Sequence, residues 1–112
     1  MVKITAYLRP HKLEQVKMAI AELPITGISV VDARGRGRSE EQPVYFGGAA
    51  IQAALPIKSK LTVVVPEDIA EAVIQKIVDN ARTGEPGDGK VFTERIEDAV
   101  RIRTMERGNS AV

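Results

Sequence analysis

The sequence predicts an α+β domain in which two helices cover one face of an antiparallel sheet, and three observations predict it. Two segments alternate apolar and polar residues with the period of two of a half-buried strand. Each leads into a segment with a helical apolar stripe, and each helix is followed by another β-rich run. In the first segment Val2, Ile4, Ala6 and Leu8 alternate with Lys3, Thr5, Tyr7 and Arg9. Pro10 then opens a helix, because its missing N–H costs nothing in a first turn. Leu13, Val16, Ile20 and Leu23 share one helical face, with Lys12, Glu14, Lys17 and Glu22 away from it. Pro24 and Gly27 close the element, and Ile28 to Ala33 forms the second strand, ending at Gly35-Arg36-Gly37. From about Arg36 to Ile57 no period is sustained, and Gly37, Pro43, Gly47, Gly48 and Pro56 interrupt the chain. Lys60 to Val65 is the third strand, with Leu61, Val63 and Val65 on one side. Pro66-Glu67-Asp68 starts the second helix with its acids placed against the helix dipole, and Ile69, Val73 and Ile77 form its stripe. Thr83 to Gly89 is a glycine-rich turn, and Val91 to Arg103 supplies the last strand.

The order is strand, helix, strand, long loop, strand, helix, strand. Two such halves make a ferredoxin-like βαββαβ sheet with both helices on one face. With 112 residues, the chain forms one domain over residues 1–112. The face of the sheet away from the helices then has to meet something, and its apolar positions predict an oligomer. The segment between the second and third strands exceeds the ~12–15 residues usual for a structureless loop, which marks it as functional or as a tolerated insertion.

Composition excludes several classes. The net charge is +1, from 16 basic and 15 acidic residues, so the basic excess that drives phosphate-backbone binding to nucleic acid is missing. Aromatic residues make up 4% of the chain, and Phe46 and Phe92 do not form the paired stacking pattern of an RNA-binding sheet. No cysteine is present, which removes disulfides and thiolate metal sites. No apolar run approaches the ~20 residues of a membrane span, and Met1 to Pro10 does not read as a signal peptide, so the expected address is cytoplasmic. His11 is the single histidine, at a helix start, and reads as a surface residue. No nucleophile, base and carboxylate set has a catalytic spacing, and Glu40 with Glu41 reads as a solvated pair. The chain is expected not to be an enzyme.

Chemistry concentrates in Thr83-Gly84-Glu85-Pro86-Gly87-Asp88-Gly89-Lys90. Clustered glycines let backbone N–H groups converge on an anion, and Lys90 adds a point charge. The segment nearly spells a Walker A motif. However, Val91 stands where that motif needs a hydroxyl, and the segment runs from helix to strand rather than the reverse. On local sequence an anion-binding turn and an ordinary glycine-rich turn are equal readings. Arg101 and Arg103 favour the first: in a strand both project from one face and offer two planar forks to phosphate. Arg36 and Arg38, flanking Gly37, add positive charge.

These segments together resemble the PII nitrogen-regulatory family over nearly the full chain. Arg9-Pro10 with Lys12-Leu13 and Val16-Lys17 is similar to its opening strand-helix junction, and Gly35, Gly37 and Arg38 to the base of its T-loop. Thr83-Gly84 with Gly87-Asp88-Gly89-Lys90-Val91-Phe92 resembles its B-loop. Arg101-Ile102-Arg103-Thr104 with Glu106-Arg107-Gly108 resembles its C-terminal segment. The resemblance implies a homotrimer binding ATP or ADP in clefts between subunits, with a T-loop at about 37–57, a B-loop at about 82–90 and a C-terminal segment at about 101–112. Gly87, Asp88, Gly89 and Lys90 would hold phosphates with Arg101 and Arg103. Arg38 would approach from the T-loop, Ser29 and Val64 would line the adenine end, and Gly35 and Gly37 would allow close backbone approach. Mg²⁺ would accompany the nucleotide. The T-loop, with Tyr45, Ala49 and Ile51, would meet a partner transporter or metabolic enzyme.

Several positions depart from the family pattern. Ser39 stands where a glutamine usually helps bind Mg²⁺ and with it 2-oxoglutarate, whereas Lys58 keeps the lysine that pairs with that effector's carboxylate. Half of the effector subsite is therefore kept, and weak or absent 2-oxoglutarate binding is expected. Ile51 stands where the family carries a uridylylated tyrosine and has no hydroxyl to modify; Tyr45 is a remote substitute. Ala49 to Leu55 is apolar enough to fold on a partner. Met105 replaces a usual glycine, and Thr62 a usual acid. Three readings stay open: a regulator of nitrogen metabolism; a divergent sensor for inorganic carbon or metal handling, responding to ADP, AMP or another effector without 2-oxoglutarate; and a small nucleotide-hydrolysing enzyme.

Overall fold

The computed structural model describes residues 1–35, 44–46, 49–51 and 55–112. Strand β1 (Val2–Leu8) leads through a 3-10 turn at Pro10–Lys12 into helix α1 (Leu13–Ile20), followed by β2 (Ser29–Arg34). Two short strands, β3 (Val44–Phe46) and β4 (Ala49–Ile51), pair with each other antiparallel. Then come β5 (Ile57–Val65), helix α2 (Glu67–Ala81), β6 (Lys90–Arg95) and a closing 3-10 turn at Gly108–Ala111. The main sheet is antiparallel in the order β2-β5-β1-β6, the arrangement expected for the ferredoxin-like βαββαβ fold.

Alternation along the strands decides the two faces. Ile4, Ala6 and Leu8 of β1 and Leu61, Val63 and Val65 of β5 are buried under Val16 and Ile20 of α1 and Val73 and Ile77 of α2. Each of the larger aliphatic side chains contributes about 1.5–3 kcal/mol by leaving water, so this one aliphatic layer holds the domain without tryptophan. The opposite face carries Lys3, Thr5 and Tyr7 of β1, Lys58, Lys60, Thr62 and Val64 of β5, Val31 of β2 and Phe92 of β6. Val31 is 55% and Phe92 50% exposed, which leaves apolar surface open on that side.

The boundaries of α1, β5 and β6 differ from expectation, each because of the bonding or packing around it. Pro10 starts a 3-10 turn, with Lys12 N donating to Arg9 O at 2.9 Å, and α1 ends at Ile20, so Leu23 packs on the core from beyond the helix. β5 begins at Ile57, three residues before the alternation became legible, because Ala33 and Arg34 pair with Lys58 and Ile57. β6 ends at Arg95, not near Arg103; Ile96 N donates to Met1 O, and the chain then turns away.

Candidate functional site

The glycine-rich segment is the connection from α2 to β6. Helix α2 ends at Ala81, and Arg82 adopts an extended conformation (φ −70°, ψ 129°). Gly84, Gly87 and Gly89 all have positive φ, at 90°, 97° and 101°. At Gly89 the requirement is absolute, because an added Cβ would lie 1.7 Å from the backbone oxygen of Tyr7. At Gly87 an added Cβ would meet the Arg9 guanidinium at 3.2 Å and Lys58 Nζ at 3.5 Å.

Asp88 is the hub of this loop. Its Oδ2 accepts from the N–H groups of Thr83 and Gly84, each at 2.9 Å. Its Oδ1 accepts from the Thr83 hydroxyl at 2.5 Å and from Arg9 Nε at 3.1 Å. The Thr83 oxygen in turn accepts from Glu85 N. The Thr83 hydroxyl and N–H, followed by Gly84 N–H and Arg9, hold the Asp88 carboxyl well below the usual carboxylate range. Its oxygens are therefore occupied by the loop and by Arg9.

Two cations from the sheet rim grip the other side of the loop. Arg9 donates to Pro86 O and Lys58 to Gly87 O, both at 2.6 Å. Burial, then the neighbouring Arg9, lower the Lys58 pKa, with Asp88 opposing. Lys90 begins β6 opposite Tyr7, on the face away from the helices, beside Phe92, which meets the Tyr7 ring edge-on at 6.1 Å. On the helix side, a shallow apolar cavity of about 210 Å³ lies between the end of α2 and β6.

The remaining expected residues fall in separate places. Gly35 follows β2, with its N–H on Pro56 O and open space where a Cβ would stand. Ser29 and Val64 lie on the open face, paired with Thr62 and Lys3. Val64 is six residues along β5 from Lys58, about 20 Å at strand rise. Arg101 and Arg103 do not lie in a strand, contrary to the sequence reading. They sit on a turn in which Arg101 N donates to Glu106 O at 2.9 Å and Met105 N to Arg101 O at 2.8 Å. Met105 is left-handed there, with φ 63°, and Ile102 is 96% exposed at the tip. The turn is closed by the Val100–Arg107 bridge and the Arg107–Asp98 ion pair at 2.5 Å. Gly37, Arg38 and Ser39 lie outside the described residues, as do the side chains of Tyr45, Ala49 and Ile51, whose backbones belong to β3 and β4. Sequence reading missed Arg9 and Thr83 as loop anchors. The five-residue spacing of Thr83 and Asp88 was the one available sign, since the Arg9 contact spans 79 positions.

The model of the family described as Nitrogen regulatory protein P-II matches residues 1–106. The chain belongs to the PII family of signal-transduction regulators. Among its relatives are the nitrogen regulatory proteins P-II of Rhizobium meliloti (41% identical), Rhodobacter capsulatus (40%) and Haemophilus influenzae (37%), each over 112 residues and the whole of both chains. The likeness to PII proteins therefore takes in the loop between β2 and β5 and the arginine turn as well as the sheet. Among the described residues of this PII protein, no helix is long and apolar enough to cross a membrane.

Proposed function

We propose that this PII protein binds ATP or ADP in clefts between the subunits of a homotrimer and so controls a partner protein, a transporter or metabolic enzyme of nitrogen metabolism, in the cytoplasm. The observation that carries this reading is the 83–90 loop, in which three positive-φ glycines, an internally satisfied Asp88 and the adjacent Lys90 make a cradle suited to a polyphosphate. On this reading residues 82–90 are the B-loop, 37–57 the T-loop that meets the partner, and 101–112 the C-terminal segment. The B-loop and the Ser29–Val64 face lie toward opposite ends of β5 on one chain, and a second copy can bring one to the other. Docking the open face also covers Val31 and Phe92. Mg²⁺ would sit on the phosphates, where it needs few protein ligands. The protein acts by binding and conformational coupling, without turnover of the nucleotide.

A divergent effector is favoured by Ser39 and Ile51 and by the use of Lys58 on Gly87 O. Calorimetric titration with ATP, ADP and AMP, each with and without Mg²⁺ and 2-oxoglutarate, tests both readings. Micromolar adenylate binding that is lost in Arg101→Ala and Lys90→Ala is the expected result. No adenylate binding would refute the sensor reading, and an added 2-oxoglutarate signal would refute the divergent one.

A further inference from the structure

The 83–90 loop holds a negatively charged side chain at the centre of a site read as anion-binding. Simple electrostatics makes that unfavourable, since a carboxylate repels a phosphate. The bonding pattern gives the carboxylate another task. Its two oxygens collect Thr83 N–H, Gly84 N–H, the Thr83 hydroxyl and Arg9 Nε, which folds the first half of the loop back on its second half. Arg9, held by Asp88, also takes Pro86 O, and Lys58 takes Gly87 O. In a planar trans peptide the C=O and N–H point opposite ways. Carbonyls drawn toward the sheet rim therefore turn the N–H groups of Gly87 and Asp88 outward, in succession, as an anion nest requires. The N–H groups of Thr83, Gly84 and Glu85 are taken up inside the loop, and those from Gly87 onward are not among its internal bonds.

We infer that Asp88, with Thr83 and Arg9, is a positioning residue that sets the peptide planes of the loop for phosphate while making no side-chain contact with it. This deepens the nucleotide reading above and rests on it. The decisive feature is a sign. Asp88→Asn removes a negative charge beside a phosphate site, which by charge alone strengthens anion binding. Whichever way the new amide turns, its N–H₂ faces donors, either the Thr83 and Gly84 N–H groups or Arg9 Nε, so the positioning role demands weaker binding.

The full-length protein and its Asp88→Asn, Thr83→Val and Thr83→Ser variants are titrated calorimetrically with ADP and with inorganic tripolyphosphate. Backbone amides of Gly87, Asp88 and Gly89 are followed by NMR. The expected result is at least a tenfold loss of affinity for both ligands in Asp88→Asn, about threefold in Thr83→Val and less than twofold in Thr83→Ser, which keeps the hydroxyl. The amides of Gly87 and Asp88 shift on tripolyphosphate addition in the wild type and fail to do so in Asp88→Asn. Equal or tighter binding by Asp88→Asn overturns the inference and leaves the nucleotide reading standing. Failure of the wild type to bind either ligand overturns both. If Asp88→Asn does not fold, the Thr83 pair decides, and Thr83→Val binding as the wild type does overturns the inference.

Discussion

Replacing Gly89 by alanine should cost far more stability than the same change at Gly84, although both residues have left-handed φ, 101° and 90°. At Gly84 an added Cβ meets nothing within 4 Å, so Gly84→Ala pays the conformational penalty alone, about 1–2 kcal/mol. At Gly89 the same atom would stand 1.7 Å from Tyr7 O and 2.7 Å from Tyr7 C, both rigid backbone. Contacts below 3.0 Å do not survive between real Cβ atoms and their neighbours, so the strands must part by more than 1 Å. That opening falls where Tyr7 pairs with Lys90, the first rung of β1 on β6. Losing the rung adds about 0.5–1.5 kcal/mol for the hydrogen bond to the strain of the displaced loop. The total is about 3 kcal/mol, or roughly 10 °C in melting temperature for a domain of this size. Thermal and urea denaturation of the wild type and both variants checks this. A Gly89→Ala protein that melts within 2 °C of Gly84→Ala would refute the steric reasoning and the loop geometry behind it.

Three further outcomes follow from the same geometry. Met105→Gly relieves a left-handed non-glycine residue at φ 63°. Set against glycine's greater chain entropy, the gain is about 0.5–1 kcal/mol, read as two- to five-fold slower hydrogen exchange of the residue-105 amide. Because its native pKa is depressed, Asp88 contributes stability that is complete above its unfolded value near 3.8 and is lost as pH falls through the native value. The urea midpoint of the wild type should therefore drop between pH 5 and pH 2, with a shallower drop in Asp88→Asn; parallel curves would contradict this. Adding 2-oxoglutarate with Mg-ATP should produce no further heat, given Ser39 and the engagement of Lys58 with Gly87 O.

Much of the fold was legible because its core is written in simple periods. The alternation of Ile4, Ala6 and Leu8 and the stripe of Ile69, Val73 and Ile77 name the buried layer directly. What the periods could not give were ends decided by partners. Lys58 belongs to β5 because Ala33 is opposite it, and nothing local distinguishes it from the loop before. Arg101 and Arg103 alternate as a strand would, but among the described residues no strand pairs with them. The backbone of Arg101 instead closes a turn onto Glu106 and Met105. A two-residue spacing over so short a run is therefore weak support for a strand, even with Val100 and Ile102 alternating with the two arginines.

The candidate site divides along the same line. Glycines announce themselves, since Gly87 and Gly89 are demanded by atoms that would occupy the space of a Cβ. The charged residues around them do not reveal their roles by type. Lys58 and Arg9 look like ligands for an anion, but each is committed to a loop carbonyl. Asp88 looks misplaced in a phosphate site until its four donors are counted. Side-chain charge thus predicts a ligand only after the backbone has taken its share. In this loop the backbone takes most of it, because Arg9 and Lys58 are bonded to carbonyls and Asp88 to N–H groups; on the function proposed above, a phosphate would be left to the remaining N–H groups and Lys90.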